Sequence, residues 1–101
     1  MTFNIYFRPD AESDIEEASR WYEQQRVGLG ADFLDEVLRY CELISTNPNI
    51  YPEIYKSFRR AIINRFPFGI FYKVEEQSII IIAVMHGSRH PKKWQKRMGQ
   101  R

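Results

Sequence analysis

The chain opens with Phe3-Asn4-Ile5-Tyr6-Phe7-Arg8, where apolar and less apolar positions alternate until Pro9 interrupts them, the pattern of a short strand with one buried face. Asp10 then stands as an N-cap, and Glu12, Asp14, Glu16 and Glu17 crowd the following turns, where a helix dipole favours negative charge. Ala11, Ile15, Ala18 and Tyr22 fall along one stripe of this helix. Val27-Gly28-Leu29-Gly30 breaks the run, which predicts an end near Gln25 or Arg26. A second amphipathic stretch carries Phe33, Val37, Tyr40, Cys41 and Ile44 on one face, with Leu34 and Leu38 beside it, and closes at Thr46-Asn47-Pro48. So short a connection between the two helices predicts an antiparallel hairpin.

Residues 48 to 57 read as a loop holding Pro48, Tyr51, Pro52 and Tyr55. The period then changes. Arg59 to Arg65 is one strand, Phe66-Pro67-Phe68-Gly69 a turn, and Ile70 to Val74 the return strand of a hairpin. After the polar turn Glu75-Glu76-Gln77-Ser78, the uninterrupted apolar run Ile79 to Met85 is too short for a typical helix and suits a strand covered on both faces, at the centre of the sheet. The order is strand, helix, helix, strand, strand, strand. It predicts an α+β fold (βααβββ) with the helices on one face of a mainly antiparallel sheet, in a single domain over residues 1–101 whose residues 91–101 form a basic tail.

Length and composition fit one globular domain. The formal net charge of +2 conceals a sharp asymmetry: residues 1–55 hold 4 Lys/Arg against 11 Asp/Glu, and residues 56–101 hold 11 against 2. Such a split focuses positive potential on one surface, suited to nucleic acid or an acidic protein, unless the halves neutralise each other across the fold. Cys41 is alone, so it forms no internal disulfide and fits a core position in a reducing cytoplasm; no metal-ligand spacing is present. No leader pattern or spanning apolar stretch points to secretion or a membrane.

The element order resembles the RelE/ParE toxin superfamily, and three local patterns agree: Asp10-x-x-x-Asp14-Ile15 at the first helix, Arg60 to Tyr72 running through Phe66-Pro67-Phe68, and His86-Gly87-Ser88-Arg89-His90-Pro91-x-x-Trp94. The likeness spans nearly the whole chain and is closest to the ParE branch. It implies the toxin of a type II toxin-antitoxin, or plasmid stabilisation, system with a cognate antitoxin as partner and no cofactor. ParE-like members are described as inhibitors of DNA gyrase. RelE-like members are described as metal-independent, ribosome-dependent mRNA endonucleases.

The two branches make different demands on the residues. Metal-free RNA cleavage needs a proton acceptor and donor, with cations around the phosphate, for which His86, Arg65 and Arg89 are the first candidates, with Lys56, Tyr55 and Lys92 beside them. A histidine ending a buried strand also fits a purely structural hydrogen bond, and Arg60 and Arg65 fit ion pairs with the acidic first helix. For the ribonuclease branch the resemblance implies a lysine- and arginine-rich strand and, after an arginine on the last strand, a Tyr or His close to the C-terminus; here the strand Ile79 to Met85 contains no arginine, and His86 precedes Arg89. Target binding would use Arg89, Lys92, Lys93, Trp94, Lys96 and Arg97, although Trp94 also suits packing on the sheet and the lysines a solvated tail.

Overall fold

Pro9 both ends the first strand and begins the first helix, because its ring removes a ladder N–H and holds φ at a helical value. In the computed structural model, which describes residues 2–99, the elements are β1 (Asn4–Phe7), α1 (Pro9–Gln25), α2 (Leu29–Thr46), β2 (Glu53–Tyr55), β3 (Phe58–Ile62), β4 (Phe68–Glu75), β5 (Ser78–His86) and α3 (Pro91–Met98). Asp10, expected as the N-cap of α1, lies inside the first turn; Arg8 holds the cap position and no side chain caps it. Between the helices, Gly28 takes a left-handed φ of 91°. Gly30 lets α2 approach α1 closely, since a Cβ there would stand 2.6 Å from the Ser19 carbonyl oxygen. Glu23 of α1 accepts the amide hydrogens of both glycines, replacing the missing N-terminal cap of α2.

The five strands are ordered β1-β5-β4-β3-β2, with β1 parallel to β5 and the other pairs antiparallel. The α+β class is as expected, and several details differ: the strand read as Arg59 to Arg65 spans Phe58–Ile62, which leaves Arg65 in the connection, and its return strand starts at Phe68 within the stretch read as a turn. The stretch read as a loop contains β2, an outer strand turned onto β3 through Lys56-Ser57. The stretch read as a basic tail folds as α3 through Met98; positions 100 and 101 lie outside the described residues. Trp94 and Met98, four residues apart, give α3 one apolar stripe, and His90 caps its N-terminus by accepting the Lys92 amide hydrogen (3.1 Å) ahead of Pro91.

The sheet therefore carries helices on both faces. The α1–α2 hairpin covers one face, where Phe33, Val37, Ile44, Ile70, Tyr72 and Ile79 form the main core. On the other, α3 seats Trp94 and Met98 against Phe71, Ile82 and Met85. As expected, β5 is buried on both faces, although the middle strand of the five is β4. A bulge makes the double burial possible. Phe71 faces Ala83 and Tyr72 faces Ile81, so Ile82 has no partner on β4 and the alternation slips by one residue. Ile79, Ile81 and Val84 thus join the core under the hairpin, while Ile82, Ala83 and Met85 join the one under α3.

Beyond Phe7 no strand continues alongside β5 on the β1 side. Two side chains take the strand's place. Asp14 of α1 accepts the Val84 amide hydrogen through Oδ2 (3.0 Å), and Arg97 of α3 donates Nη1 to the Ile82 carbonyl (3.3 Å). The same groups pair with each other, Nη1 to Oδ2 at 2.8 Å and Nη2 to Oδ1 at 3.2 Å. Helices on opposite faces are thereby tied around the sheet edge.

Other buried polar groups are also satisfied: Tyr72 donates its hydroxyl to the Pro48 carbonyl at 2.7 Å. Burial pushes the Tyr72 phenol up to about 12 and the Cys41 thiol up to about 12. A proton held more tightly folded than unfolded contributes stability that is intact below the unfolded pKa and lost as pH rises through the folded one. Resistance to urea is therefore expected to fall between about pH 9, the ordinary thiol value, and pH 12, with Tyr72 contributing above about 10. Cys41→Ala should make that decline shallower; an unchanged slope would show that the thiol does not contribute.

Candidate functional site

Folding turns the asymmetry of the sequence into an asymmetry of faces. The acidic α1–α2 hairpin lies on one side of the sheet, and α3 with Lys92, Lys93 and Lys96 lies on the other. Three arginines of the basic half pair with carboxylates of the acidic half: Arg59 with Glu53 (3.6 Å), Arg65 with Asp32 (3.6 Å) and Arg97 with Asp14. The three lysines of α3 form no ion pair with a described carboxylate, and with His90 they line an exposed depression.

His86 ends β5 with its ring edge on Phe68, centroids 5.3 Å apart. The Ser88 amide donates to its Nδ1 at 3.0 Å, and the Ser88 hydroxyl lies 2.7 Å from the same atom. An N–H donor at Nδ1 selects the neutral tautomer protonated at Nε2. His86 and Arg89 line one cleft of ≈ 540 Å³, and Asp10, Asp14 and Glu17 of α1 line it too. Those carboxylates oppose phosphate. Asp14 is neutralised by Arg97, and Asp10 stands 3.7 Å from its Nε.

Arg65, the third candidate for RNA chemistry, is not a wall of this cleft. It pairs with Asp32 of α2, rather than with the first helix, and its guanidinium lies over the Phe66 ring at 5.4 Å. Arg60 makes no ion pair among the described residues and sits over Phe71 at 5.9 Å. Of the candidates for target binding, Arg89, Lys92, Lys93 and Lys96 are exposed. Trp94 is 8% exposed and stacked on Phe71, centroids 5.5 Å apart, so its indole belongs to the core. Arg97 is held by Asp14; the hydrogen bond to that carboxylate, more than any other influence, raises its pKa. Sequence reading missed Arg8 and Lys73 and considered Lys56 only for RNA cleavage; the three line one depression on the α3 side. They are far apart in the chain, and no local motif joins them.

Comparison with known proteins identifies the architecture. Residues 5–91 match the family described as ParE toxin of type II toxin-antitoxin system, parDE. The chain belongs to the ParE toxin family. A chromosomal ParDE toxin-antitoxin system from P. aeruginosa includes a chain with the same fold, at TM-score 0.75 and 13% identity over 84% of this chain and 96% of that one. The RelBE2 toxin-antitoxin complex of Mycobacterium tuberculosis contains another, at TM-score 0.64 and 15% identity over 85% of this chain and 99% of that one. No curated protein matches. Among the described residues, no helix is long and apolar enough to cross a membrane.

In this ParE-family chain the cations of α3 divide into one that holds the fold and three that face solvent. Arg97→Ala should lower the unfolding free energy by about 2–3 kcal/mol, below the range for a fully buried pair because both side chains keep some exposure. Lys92→Ala, Lys93→Ala and Lys96→Ala should each stay within about 0.5 kcal/mol. Urea titration of the four variants checks the division, and a lysine variant as damaging as Arg97→Ala would contradict it.

Proposed function

We propose that this ParE-family toxin acts by protein contact, inhibiting DNA gyrase through Arg89 and the lysines of α3, and that a cognate antitoxin neutralises it in the cytoplasm. The observation that carries the reading is the cleft shared by His86 and Arg89, whose walls include the carboxylates Asp10, Asp14 and Glu17 and an Arg97 already engaged by Asp14, while Arg65 is not a wall. A phosphate entering there would meet at least one carboxylate without a close cation, Glu17. The exposed cations instead suit an acidic protein surface, which needs charge and shape without a proton relay.

The antitoxin part draws on the two toxin-antitoxin complexes that share the fold. A groove of ≈ 630 Å³ along the hairpin, floored by Phe7, Ile15, Ala31 and Leu34, offers apolar surface for a partner segment, and β1 is an outer strand beside it. Stabilisation of the plasmid or chromosomal locus that encodes such a pair belongs to the same reading.

The test is a gyrase supercoiling assay run beside a translating extract probed for mRNA cleavage. The expected result is loss of supercoiling with intact mRNA. Arg89→Ala should weaken inhibition about tenfold, the value of one charge-assisted contact, while His86→Gln stays within about twofold. Ribosome-dependent cleavage that His86→Gln abolishes and Arg89→Ala spares would replace this reading with the endonuclease.

A further inference from the structure

We propose that the depression on the α3 side formed by Arg8, Lys56 and Lys73 binds a dianionic tetrahedral oxyanion, specifically a phosphate monoester group. The three cations come from separate elements: Arg8 between β1 and α1, Lys56 in the β2–β3 turn and Lys73 on β4. Like charges gathered in one concavity repel, so the arrangement is costly unless an anion offsets it. Within the chain the offset is incomplete. Lys73 pairs with Glu75 at 2.8 Å, whereas Arg8 and Lys56 form no ion pair with any described residue.

Arg8 is half-buried in its residue as a whole, but its guanidinium keeps solvent contact and forms no ion pair with a described residue, so it can meet an anion in the depression. Asp10, its nearest acidic neighbour in sequence, lies toward Arg97 instead. Lys56 stands at a positive φ, 52°, in the two-residue β2–β3 turn, as Glu76 does in the β4–β5 turn, which fixes it beside the depression. Phe58, Ile82 and Met98 complete the lining between the cations.

Size and charge select the ligand class. At ≈ 200 Å³ the depression is smaller than the roughly 300–1,000 Å³ of sites that enclose a drug-sized molecule, so it takes a group and not a whole nucleotide. The three cations less the charge of Glu75 leave a surplus of about two, matching a phosphate monoester near neutral pH. This inference is independent of the gyrase reading, because it concerns another set of residues and is tested without a target.

The probe is inorganic phosphate at fixed ionic strength, with chloride and acetate as comparators. Thermal unfolding should shift upward saturably with phosphate and not with the other two. Arg8→Met combined with Lys56→Met should raise the apparent dissociation constant at least tenfold. Lys56→Met alone, in an exposed turn, guards against a folding defect and should raise it severalfold; Arg20→Met on α1 should leave it unchanged. Glycerol phosphate and a 5′-phosphorylated oligonucleotide, each against its dephosphorylated form, then distinguish sources. Equal binding of both phosphorylated forms makes the site a reader of the bare group, and stronger binding of the oligonucleotide assigns it to a nucleic-acid end. The proposal is overturned if acetate stabilises as much as phosphate, if the double variant responds like the wild type, or if removing the monoester leaves displacement unchanged.

Discussion

The paired side chains of Asp14 and Arg97 close the edge of the sheet where β5 runs on past the end of β1. β1 is short because Pro9 stops it, and β5 runs on alone past that point. An amide and a carbonyl of β5 then need partners, and a carboxylate from one face and a guanidinium from the other supply them. Each ion also satisfies the other, so neither is left as an uncompensated charge. The pair therefore links α1, β5 and α3, each of which is also seated by its core contacts. The bulge at Ile82 belongs to the same device, since it occurs beside the bonded groups and lets β5 serve two cores.

This geometry shapes the functional surface. Tying down Arg97 and burying Trp94 fixes α3 on the sheet, and the helix then displays Lys92, Lys93 and Lys96 outward. Basic charge accumulates on that side because its neutralising carboxylates lie mostly on the hairpin across the sheet. A rigid platform of mobile lysines suits recognition of an acidic surface, with the fixed arginine supporting from behind. The cleft at the end of β5 has the opposite character, with α1 bringing carboxylates against His86 and Arg89. The fold thus separates a cationic display from a histidine whose surroundings disfavour phosphate.

The sequence alone determined the elements whose signals are local. Periodicity placed both long helices, including the stripe of Phe33, Val37, Tyr40, Cys41 and Ile44, and it marked the doubly covered strand, because burial leaves a repeating trace in the residues of one element. The charge asymmetry was equally legible. β2 was missed because three residues are too few to show a period, and α3 was hidden by its lysines, although Trp94 and Met98 at helical spacing after His90-Pro91 carried its signature. Tertiary structure decided which cation does what. Arg97 meets Asp14 across 83 positions, Arg65 meets Asp32, and Arg8 converges with Lys56 and Lys73. An arginine reads the same in a sequence whether it closes a sheet, faces a target or waits for an anion, because that role depends on the charges chain folding brings within a few ångströms, and electrostatic energy falls with distance in space, not along the chain.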